Sequence, residues 1–441
     1  MSGPPEFHHL DDGTPEDAWA STPGLSGRPV LELAGIHHLV VVAAHPDDET
    51  LMAGGLLFDA HRLGITVDVV VATDGEASHP HSPTHTAHAL VALRREEVAA
   101  AISHLAPSAG LHCPGLGDGR LAEGHDVLVR LLVDLVGTRG EGTLLVSTWR
   151  GDGHPDHEAA ALAAASAAWR TDARLLECPI WFWHWGSPGD SLPAGPCLPL
   201  AGDAHAAKSE AMRAHHSQVD PLSDAHGDEA ILGAPMLAHF HRDIEVFFDG
   251  EVGETNPFES LHASDPDPWR VRSSWYEARK RAVTLAALPR PRYGRVLEVG
   301  CSVGALAADL AGRADHVLAV DESAAALRRA GEALDGVPNV STQRLRVPEE
   351  LPVVDADLVV ISEIGYFLSP LRLRDLARRV AASGRSTVVA CHWRHDIIGW
   401  PLDGPAVHAI LRGSLGMPTA VLVEDVDFVL EVFSTDAGAE A

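Results

Sequence analysis

The sequence is poor in cysteine, in basic side chains and in long apolar runs. Its five cysteines are spread over 441 residues without a CxxC pair, which supports neither a disulfide framework nor a cage of thiolate metal ligands. No apolar run reaches the roughly 18 residues needed to span a bilayer, so we expect no integral membrane segment. The N-terminus lacks the basic start and apolar stretch of a signal peptide, and we therefore expect a cytoplasmic location.

Basic side chains are outnumbered by acidic ones. The chain has 33 Lys and Arg against 62 Asp and Glu, a formal net charge of −29. Contact with phosphate groups requires clustered Lys and Arg, so this balance argues against nucleic acid or an anionic membrane as a partner. A small neutral or amine-bearing substrate is compatible with it. The sequence gives no indication of the oligomeric state.

The length and the order of predicted elements indicate two domains. A chain of 441 residues exceeds the size at which one hydrophobic core stops growing. Residues 1–35 are acidic and rich in Pro and Gly, which predicts a disordered or loosely docked tail. Strand-like and helix-like segments alternate over 36–249 and again over 269–441, on either side of a turn-rich linker region at 250–268. We expect an α/β fold with two doubly wound Rossmann-like domains in tandem, ending in an antiparallel strand pair.

The first chemical signal is a strand that ends in charged residues. The stretch VVVAAHPDDETLMAGG begins at Val40, and GDGHPDHEAA follows a second strand, LLVST, in the same way. Each motif alone is compatible with a turn or a capped helix start. Because doubly wound sheets bind ligands at the carboxyl ends of their strands, the pair of motifs favours one site. His45, Asp48 and His157 then form a set of two histidines and one carboxylate with an open fourth position, which is typical of catalytic zinc.

Neighbouring residues of the same motifs suit acid–base chemistry. Asp47 lies beside a ligand without being needed as one, so it is a candidate general base. His154 is a candidate for polarising a scissile carbonyl or stabilising its oxyanion. Four histidines in the loop 79–88 are interpreted as a polar rim of the site, with a second metal as the alternative.

Six motifs together resemble the PIG-L/LmbE family of zinc-dependent N-deacetylases, which act on N-acetylglucosamine-type sugars. They are AHPDDETLMAGG, TDGE, LRREEVAAAISHL, LGDGRL, HPDHEAA and KSEAMRAHHSQ, and they span roughly residues 36–248. The resemblance implies a bound Zn²⁺ or another divalent metal and the same roles for the ligand set, for Asp47 and for His154. It also implies that Arg94, in an R-x-x-E pattern with Glu97, contacts the substrate.

The second half contains a glycine-rich turn between a strand and a helix, GRVLEVGCSVGALAADLA. Glycine there allows the backbone to approach a nucleotide closely. Asp321 ends the next strand, where a carboxylate can accept hydrogen bonds from both ribose hydroxyls. The spacing E-x-G-x-x-x-G resembles motif I of class I S-adenosylmethionine-dependent methyltransferases, and the G-x-G-x-x-G turn that suits NAD is missing.

The flanks narrow this second resemblance. Roughly residues 256–394 resemble the NodS-type N-methyltransferases, which methylate the free amine of a deacetylated chitooligosaccharide. The segments that carry this resemblance are DPDPWRVRSSWYEARKRAVTLAALP, EVGCSVGALAADLA, ISEIGYFL and HWR. The residues that the resemblance places around S-adenosylmethionine are Glu298, Gly300, Cys301, Gly304 and Asp321. Candidates for contacting the methyl acceptor, which follow later strands, are Glu363, Tyr366 and His392. Residues expected to help close the pocket are Trp275, Tyr276 and Lys280.

The two halves together predict a bifunctional enzyme. The first would hydrolyse an N-acetyl or other N-acyl group from an amino sugar, and the second would methylate the freed amine. Two alternatives stay open. One is an amidase of a thiol-sugar or natural-product conjugate joined to a methyltransferase for an unrelated acceptor. The other is a second domain that binds S-adenosylmethionine without catalysis.

Overall fold

The computed structural model describes residues 8–20, 22, 24–25, 27–253, 257–352, 355–382 and 387–435. The chain divides into two compact units, 1–253 and 254–441. Within the described ranges, none of the helices is both long and apolar enough to cross a membrane.

Helices (α) and strands (β) are numbered along the chain. The helices of the first unit are α1 (Glu16–Ala20), α2 (Asp48–Arg62), α3 (Ala87–Leu105), α4 (His125–Val136), α5 (Pro155–Thr171), α6 (Phe182–Trp185), α7 (Gly202–Ala214), α8 (His216–Val219) and α9 (Ala234–Ala238), with short 3-10 helices at Leu121–Gly124, Gly140–Gly142 and His239–His241. Its strands are β1 (His38–Ala43), β2 (Thr66–Val71), β3 (Gly110–His112), β4 (Thr143–Thr148), β5 (Arg174–Cys178), β6 (Cys197–Pro199), β7 (Ile244–Val246) and β8 (Phe248–Asp249).

The first unit is built on a six-stranded sheet in the order β3-β2-β1-β4-β5-β8. Its strands are parallel except β8, which pairs antiparallel with β5. Side chains of β1 enter two different hydrophobic clusters, Val41 with residues of α2 and α3, and Val40 with residues of α4 and α5. Burial on both faces explains why these strands read as continuous apolar runs.

The second unit has its own seven-stranded sheet. Its helices are α10 (Pro257–Ser264), α11 (Trp275–Ala287), α12 (Ala305–Ala311), α13 (Ala324–Ala333), α14 (Pro370–Ala381) and α15 (Gly404–Leu415), with a 3-10 helix at Gly365–Phe367. Its strands are β9 (Tyr293–Val299), β10 (Ala314–Asp321), β11 (Val340–Arg344), β12 (Leu358–Ser362), β13 (Thr387–Trp393), β14 (Thr419–Glu424) and β15 (Phe428–Phe433). The strand order is β11-β10-β9-β12-β13-β15-β14, and the predicted antiparallel terminal pair is confirmed as β14 and β15.

Both sheets reverse their strand order at the place where the motifs lie. β1 pairs with β2 on one side and with β4 on the other, and β9 lies in the same way between β10 and β12. Such a reversal opens a crevice at the carboxyl ends of the strands. The predicted α/β class with two doubly wound domains is confirmed.

Three parts of the chain differ from the sequence-based prediction. The N-terminal segment contains α1, and its Trp19 is fully buried, so this part is packed and not loosely docked. The predicted linker region 250–268 contains α10 and the boundary between the two units. Helix α15 forms where no motif was found. Residues 1–7, 21, 23 and 26 of the predicted tail and residues 254–256 of the predicted linker lie outside the described residues.

Candidate active sites

Three donor atoms from the two predicted motifs face one another in the first unit. His45 Nδ1 lies 3.5 Å from Asp48 Oδ2 and 3.3 Å from His157 Nε2, and His157 Nε2 lies 3.4 Å from the same Asp48 oxygen. Zinc bound tetrahedrally at 2.0–2.1 Å requires its ligand atoms to be about 3.3–3.4 Å apart. The separations therefore match those of three corners of a zinc tetrahedron, and the three residues fit a divalent metal.

The local backbone explains why the ligands converge. Pro155 occupies the first turn of α5, so His154 is the N-cap residue and His157 follows three positions later, one turn along the helix. Strands β1 and β4 run side by side in parallel. The segments that follow them therefore begin at the same edge of the sheet.

Carboxylates on the far side of each imidazole hold the rings. His157 Nδ1 donates to Asp152 Oδ2 over 2.7 Å. His45 Nε2 lies 3.2 Å from both Asp118 Oδ1 and Asp156 Oδ2. Because the proton of each ring points at these acids, the other nitrogen presents its lone pair to the cluster. The sequence motifs alone did not single out these three carboxylates, although Asp152 and Asp156 lie in GDGHPDHE and Asp118 lies in LGDGRL.

This concentration of acids favours a cation. Burial alone would raise the pKa of Asp48, but His157 and His45 lower it below its ordinary value. Burial would likewise lower the pKa of His45, whereas Asp118, Asp156 and Asp48 raise it well above its ordinary value. The lowered pKa of Asp48 and the raised pKa of His45 have the same cause: several carboxylates surround the buried His45 and favour positive charge there.

Asp47 is held in an unusual conformation next to the ligand cluster. Its φ of 122° is rare for a residue other than glycine, and such backbone strain concentrates at functional sites. Burial raises the pKa of Asp47 to about 7, against the lowering effect of Arg94. Its backbone N–H donates to Glu49 Oε2 over 3.0 Å, and Glu49 Oε1 in turn lies 3.2 Å from His215 Nε2. The backbone of Asp47 is therefore held in place directly before the candidate ligand Asp48.

Arg94 is buried and contacts Asp47, and its predicted contact with a substrate stays a prediction. Its Nη2 lies 3.2 Å from Asp47 Oδ2, and only 2% of the residue is exposed. It also donates to the carbonyl oxygens of Gly75 and Pro46. Gly75 has a φ of 64°, and a Cβ there would lie 1.8 Å from Arg94 Nη1, so the TDGE motif requires glycine. Glu97 of the same pattern binds the backbone and hydroxyl of Ser217.

His154 has the geometry of a neutral hydrogen-bond donor. Its Nδ1 accepts the Asp156 N–H over 3.2 Å, which leaves the ring proton on Nε2. Burial, followed by the nearby His157 and His45, lowers the pKa of His154 to about 3. Its ring centre lies 4.8 Å from that of His45.

Two other groups of donor atoms could hold a metal, namely His45–His154–His157 and His45–Asp118–Asp156. Because His154 Nδ1 already accepts a backbone N–H, we favour Asp48 over His154 as the third ligand beside His45 and His157. Within the described ranges, neither group includes a histidine of the loop 79–88. That loop is instead tied to the segment after α8, where Thr84 and Ser223 donate to Asp228 over 2.5 Å each.

In the second unit the glycine-rich turn after β9 is tied to Asp321. Gly300, Ser302 and Gly304 all have positive φ. Asp321 Oδ2 accepts the Ser302 N–H and Oδ1 accepts the Ser323 N–H, both over 2.9 Å. The turn therefore keeps its backbone close to the end of β10, as a nucleoside site requires. Cys301 is buried, and its backbone N–H donates to Val320.

Buried polar atoms beside this turn fit a cationic ligand. Among the described residues, Glu298 Oε2 and Ser302 Oγ are buried without a hydrogen-bond partner. Burial, then Asp321 and Asp309, raises the pKa of Glu298 to about 8. Two adjacent acids with few donors are stabilised by positive charge. The sulfonium and ammonium groups of S-adenosylmethionine would supply it.

The candidate acceptor residues Glu363 and Tyr366 lie together at the end of β12. Glu363 has a φ of 58°, and Tyr366 donates its hydroxyl proton to the Glu363 carboxylate. The same carboxylate accepts from Lys280 Nζ over 2.7 Å and from the Trp393 N–H over 3.1 Å. Tyr276 lies 3.5 Å away through its hydroxyl group.

His392 lies behind this group, with its ring centre 5.5 Å from that of Tyr366, and its predicted role as an acceptor contact stays a prediction. It is fully buried, and its Nε2 accepts the Gly365 N–H over 3.0 Å. Its Nδ1 donates to His408 Nε2 over 3.1 Å, and His408 Nδ1 donates to Glu431 over 3.1 Å. Trp275, expected to help close the pocket, is 80% exposed.

Comparison with protein families gives two separate matches. The GlcNAc-PI de-N-acetylase family, PIG-L, matches residues 40–168, and the nodulation protein S family, NodS, matches residues 259–383. No curated protein is significantly similar to the chain.

Solved structures of separate proteins resemble parts of the chain. A Pseudomonas syringae protein, a methyltransferase by assignment, is 40% identical, with 36% of this chain and 99% of that one covered and a TM-score of 0.33. The N-methyltransferase NodS from Bradyrhizobium japonicum WM9, solved with S-adenosyl-L-homocysteine, is 20% identical, with 41% and 98% covered and a TM-score of 0.37. The N,N'-diacetylchitobiose deacetylase from Pyrococcus horikoshii is 17% identical, with 42% and 73% covered and a TM-score of 0.34. Within this chain, residues 40–168 match the PIG-L family of de-N-acetylases, and residues 259–383 match the NodS family.

Proposed function

We propose that the chain is a bifunctional enzyme that removes an N-acyl group from an amino sugar or glycoconjugate and then methylates the freed amine. The observation that carries the proposal is the tetrahedral spacing of His45, Asp48 and His157 beside the buried Asp47, in a chain that also has a NodS-family domain. When bound by these three ligands, a divalent metal would polarise the acyl carbonyl and lower the pKa of a water molecule.

The side chains around the ligands supply the proton transfers of hydrolysis. Asp47 takes a proton from the attacking water and delivers it to the departing amine nitrogen. Arg94 holds the Asp47 carboxylate in place through its 3.2 Å contact. The Nε2–H of His154 donates to the acyl oxygen as negative charge develops there, because its other nitrogen is engaged by the backbone.

The second unit would bind S-adenosylmethionine around the turn at Gly300–Gly304. Asp321 accepts hydrogen bonds from the ribose hydroxyls, and Glu298 faces the positive charge of the methionine portion. Glu363 and Tyr366 are the groups that we assign to the acceptor amine. Their contribution to transfer is position and exclusion of water.

The order of the two reactions follows from the chemistry of nitrogen. The lone pair of an amide nitrogen is delocalised into the carbonyl, so it attacks a methyl donor poorly. Hydrolysis yields a primary amine whose lone pair is available. Two active sites in one chain also raise the local concentration of this intermediate.

The test is to incubate the Zn²⁺-loaded chain with an N-acetylglucosamine oligosaccharide and S-adenosylmethionine and to follow product mass. We expect loss of an acetyl group followed by gain of a methyl group. Asp47→Asn blocks both steps, and Asp321→Ala blocks only the second.

A control substrate separates the two activities. Given an already deacetylated oligosaccharide, Asp47→Asn regains methyl transfer if the steps occur in sequence on one nitrogen. Methylation of the intact N-acetylated oligosaccharide by Asp47→Asn would place the methyl group on an atom other than the freed amine and would contradict the proposed order of the two reactions. Deacetylation followed by no methylation would favour an unrelated acceptor or a second unit without catalysis.

A further inference from the structure

Helix α6 is a single turn, and Asp152 binds its first residue and the two residues before it. The N–H groups of Ile180 and Phe182 donate to Asp152 Oδ1 over 2.7 and 3.1 Å, and the Trp181 N–H donates to Oδ2 over 3.0 Å. Trp185 Nε1 donates to the Asp152 carbonyl oxygen over 2.8 Å. The placement of α6 and the placement of the Asp152 carboxylate are therefore mutually dependent.

Asp152 is also the partner of a candidate metal ligand. It is fully buried, and its Oδ2 accepts from His157 Nδ1 over 2.7 Å. A carboxylate in this position sets the orientation and basicity of the metal-binding imidazole. A displacement of α6 would thus change the direction of His157 Nε2.

The other end of α6 is held by the N-terminal segment. Trp19 Nε1 donates to the Trp183 carbonyl oxygen over 2.8 Å. Thr14 donates through its N–H to His184 over 2.8 Å and through its hydroxyl to Gly186 over 2.5 Å. The last carbonyl groups of a helix have no partner within it, and one turn is too short to be stable alone. These two residues satisfy carbonyl groups that α6 and its C-cap present.

The N-terminal segment is itself anchored firmly. Trp19 is fully buried, with its ring 5.1 Å from Trp183 and 5.5 Å from Phe182, centre to centre. Glu16 accepts from His239 over 2.6 Å and from Arg242 Nε over 2.6 Å. The segment therefore acts as a brace between the 239–242 region and α6.

We infer that Trp19 and Thr14 are positioning residues for the candidate metal site, acting through α6 and Asp152 on His157. The inference rests on the proposed function. The segment lies outside residues 40–168, which match the PIG-L family. The N-terminal segment would therefore contribute to the geometry of the candidate metal site.

Zinc affinity of the full apo-protein, measured by competition with a colorimetric chelator, tests the inference without any substrate. Asp152→Asn should weaken Zn²⁺ binding about 10–100-fold, as is usual for such outer carboxylates. We expect Trp19→Ala to weaken it about tenfold. The double variant should bind no more weakly than Asp152→Asn alone, because both changes act on the same imidazole.

A matched core variant separates this role from general destabilisation. Leu132 on α4 is fully buried in the hydrophobic cluster on the other face of the sheet. Leu132→Ala should leave zinc affinity within about twofold at a temperature where circular dichroism shows all variants folded. If Trp19→Ala does not fold, Trp19→Phe and Thr14→Val remove the individual hydrogen bonds and should each weaken binding severalfold.

The possible results separate the two proposals. Three results would overturn the inference but not the proposed function. The Trp19 and Thr14 variants could bind zinc as tightly as wild type, or Leu132→Ala could lose as much zinc affinity as they do. The effects of Trp19→Ala and Asp152→Asn on zinc affinity could also be fully additive. A wild-type chain that binds no Zn²⁺ would overturn the proposed function and the inference with it.

Discussion

The carboxylate of Asp47 and the guanidinium of Arg94 are 3.2 Å apart, and both residues are buried next to the candidate metal ligands. The two residues are 47 positions apart in the chain. Under the proposed function, this contact would let Arg94 orient the Asp47 carboxylate, whereas the motif alone suggested contact with a substrate.

We therefore predict that Arg94→Met lowers kcat for deacetylation about 100-fold with little change in KM. Loss of the guanidinium frees the Asp47 carboxylate, and a small misplacement of a catalytic group has effects of this size. Steady-state kinetics on an N-acetylated amino sugar, with zinc content measured in parallel, checks it. Arg130→Met, at an exposed position of α4, is the matched control. A rise in KM with unchanged kcat would instead indicate that Arg94 contacts the substrate directly.

A second prediction separates the metal ligand His157 from the neighbouring His154. His157→Ala should lose bound Zn²⁺, because it removes one corner of the donor set. His154→Ala should keep the metal and lose about 10²–10³-fold in kcat, the usual effect of deleting an oxyanion donor. Elemental analysis after gel filtration, together with kcat, measures both. Loss of metal in His154→Ala would instead make His154 the third ligand.

A third prediction concerns the pH dependence of the second unit. The pKa of Glu298 is raised from 4.5 to about 8 by burial and by Asp321 and Asp309. The unfolded chain ionises first, so the unit without ligand should lose stability as pH rises from about 4.5 to 8. S-adenosylmethionine, being cationic, favours the ionised carboxylate, and its stabilising shift in Tm should be larger at pH 8.5 than at pH 6.

Glu298→Gln provides the control for this pH effect. The amide does not titrate, so the variant should show a flatter stability profile between these pH values than the wild type. Thermal unfolding with and without S-adenosylmethionine measures both quantities. A wild-type shift in Tm that is the same at both pH values would mean that Glu298 does not face the ligand.

A fourth prediction concerns the buried chain of hydrogen bonds from Gly365 through His392 and His408 to Glu431. His408→Leu leaves the His392 proton without its acceptor, while Glu431 still accepts from Arg412 and Thr419. The unsatisfied buried donor should cost about 1–3 kcal/mol of unfolding free energy. Chemical denaturation measures it. His395→Leu, at a side chain that is 53% exposed, should change stability by less than about 0.5 kcal/mol. Equal effects of the two changes would show that the buried chain contributes nothing specific.

Much of the fold was predictable because its signals are local. Helices α3 and α5, for example, each begin after an N-cap residue whose side chain accepts a backbone N–H, and such capping signals act over a few positions. The candidate ligands are equally local within each motif, because His45 and Asp48 closely follow β1 and His157 lies in the first turn of α5. Helix α15 lies outside every sequence motif described above, because its residues form a packed helix and contribute no candidate site residue.

The sequence by itself determined the two α/β units, the candidate metal-ligating motifs and the glycine-rich turn, because these depend on the order and spacing of neighbouring residues. The tertiary structure alone decided which distant groups support them. Asp152 joins His157 to α6 and the N-terminal segment, Arg94 meets Asp47, and His392 turns inward to His408. Such partners are selected by packing and by the need to satisfy buried charges through space, and no local pattern records them.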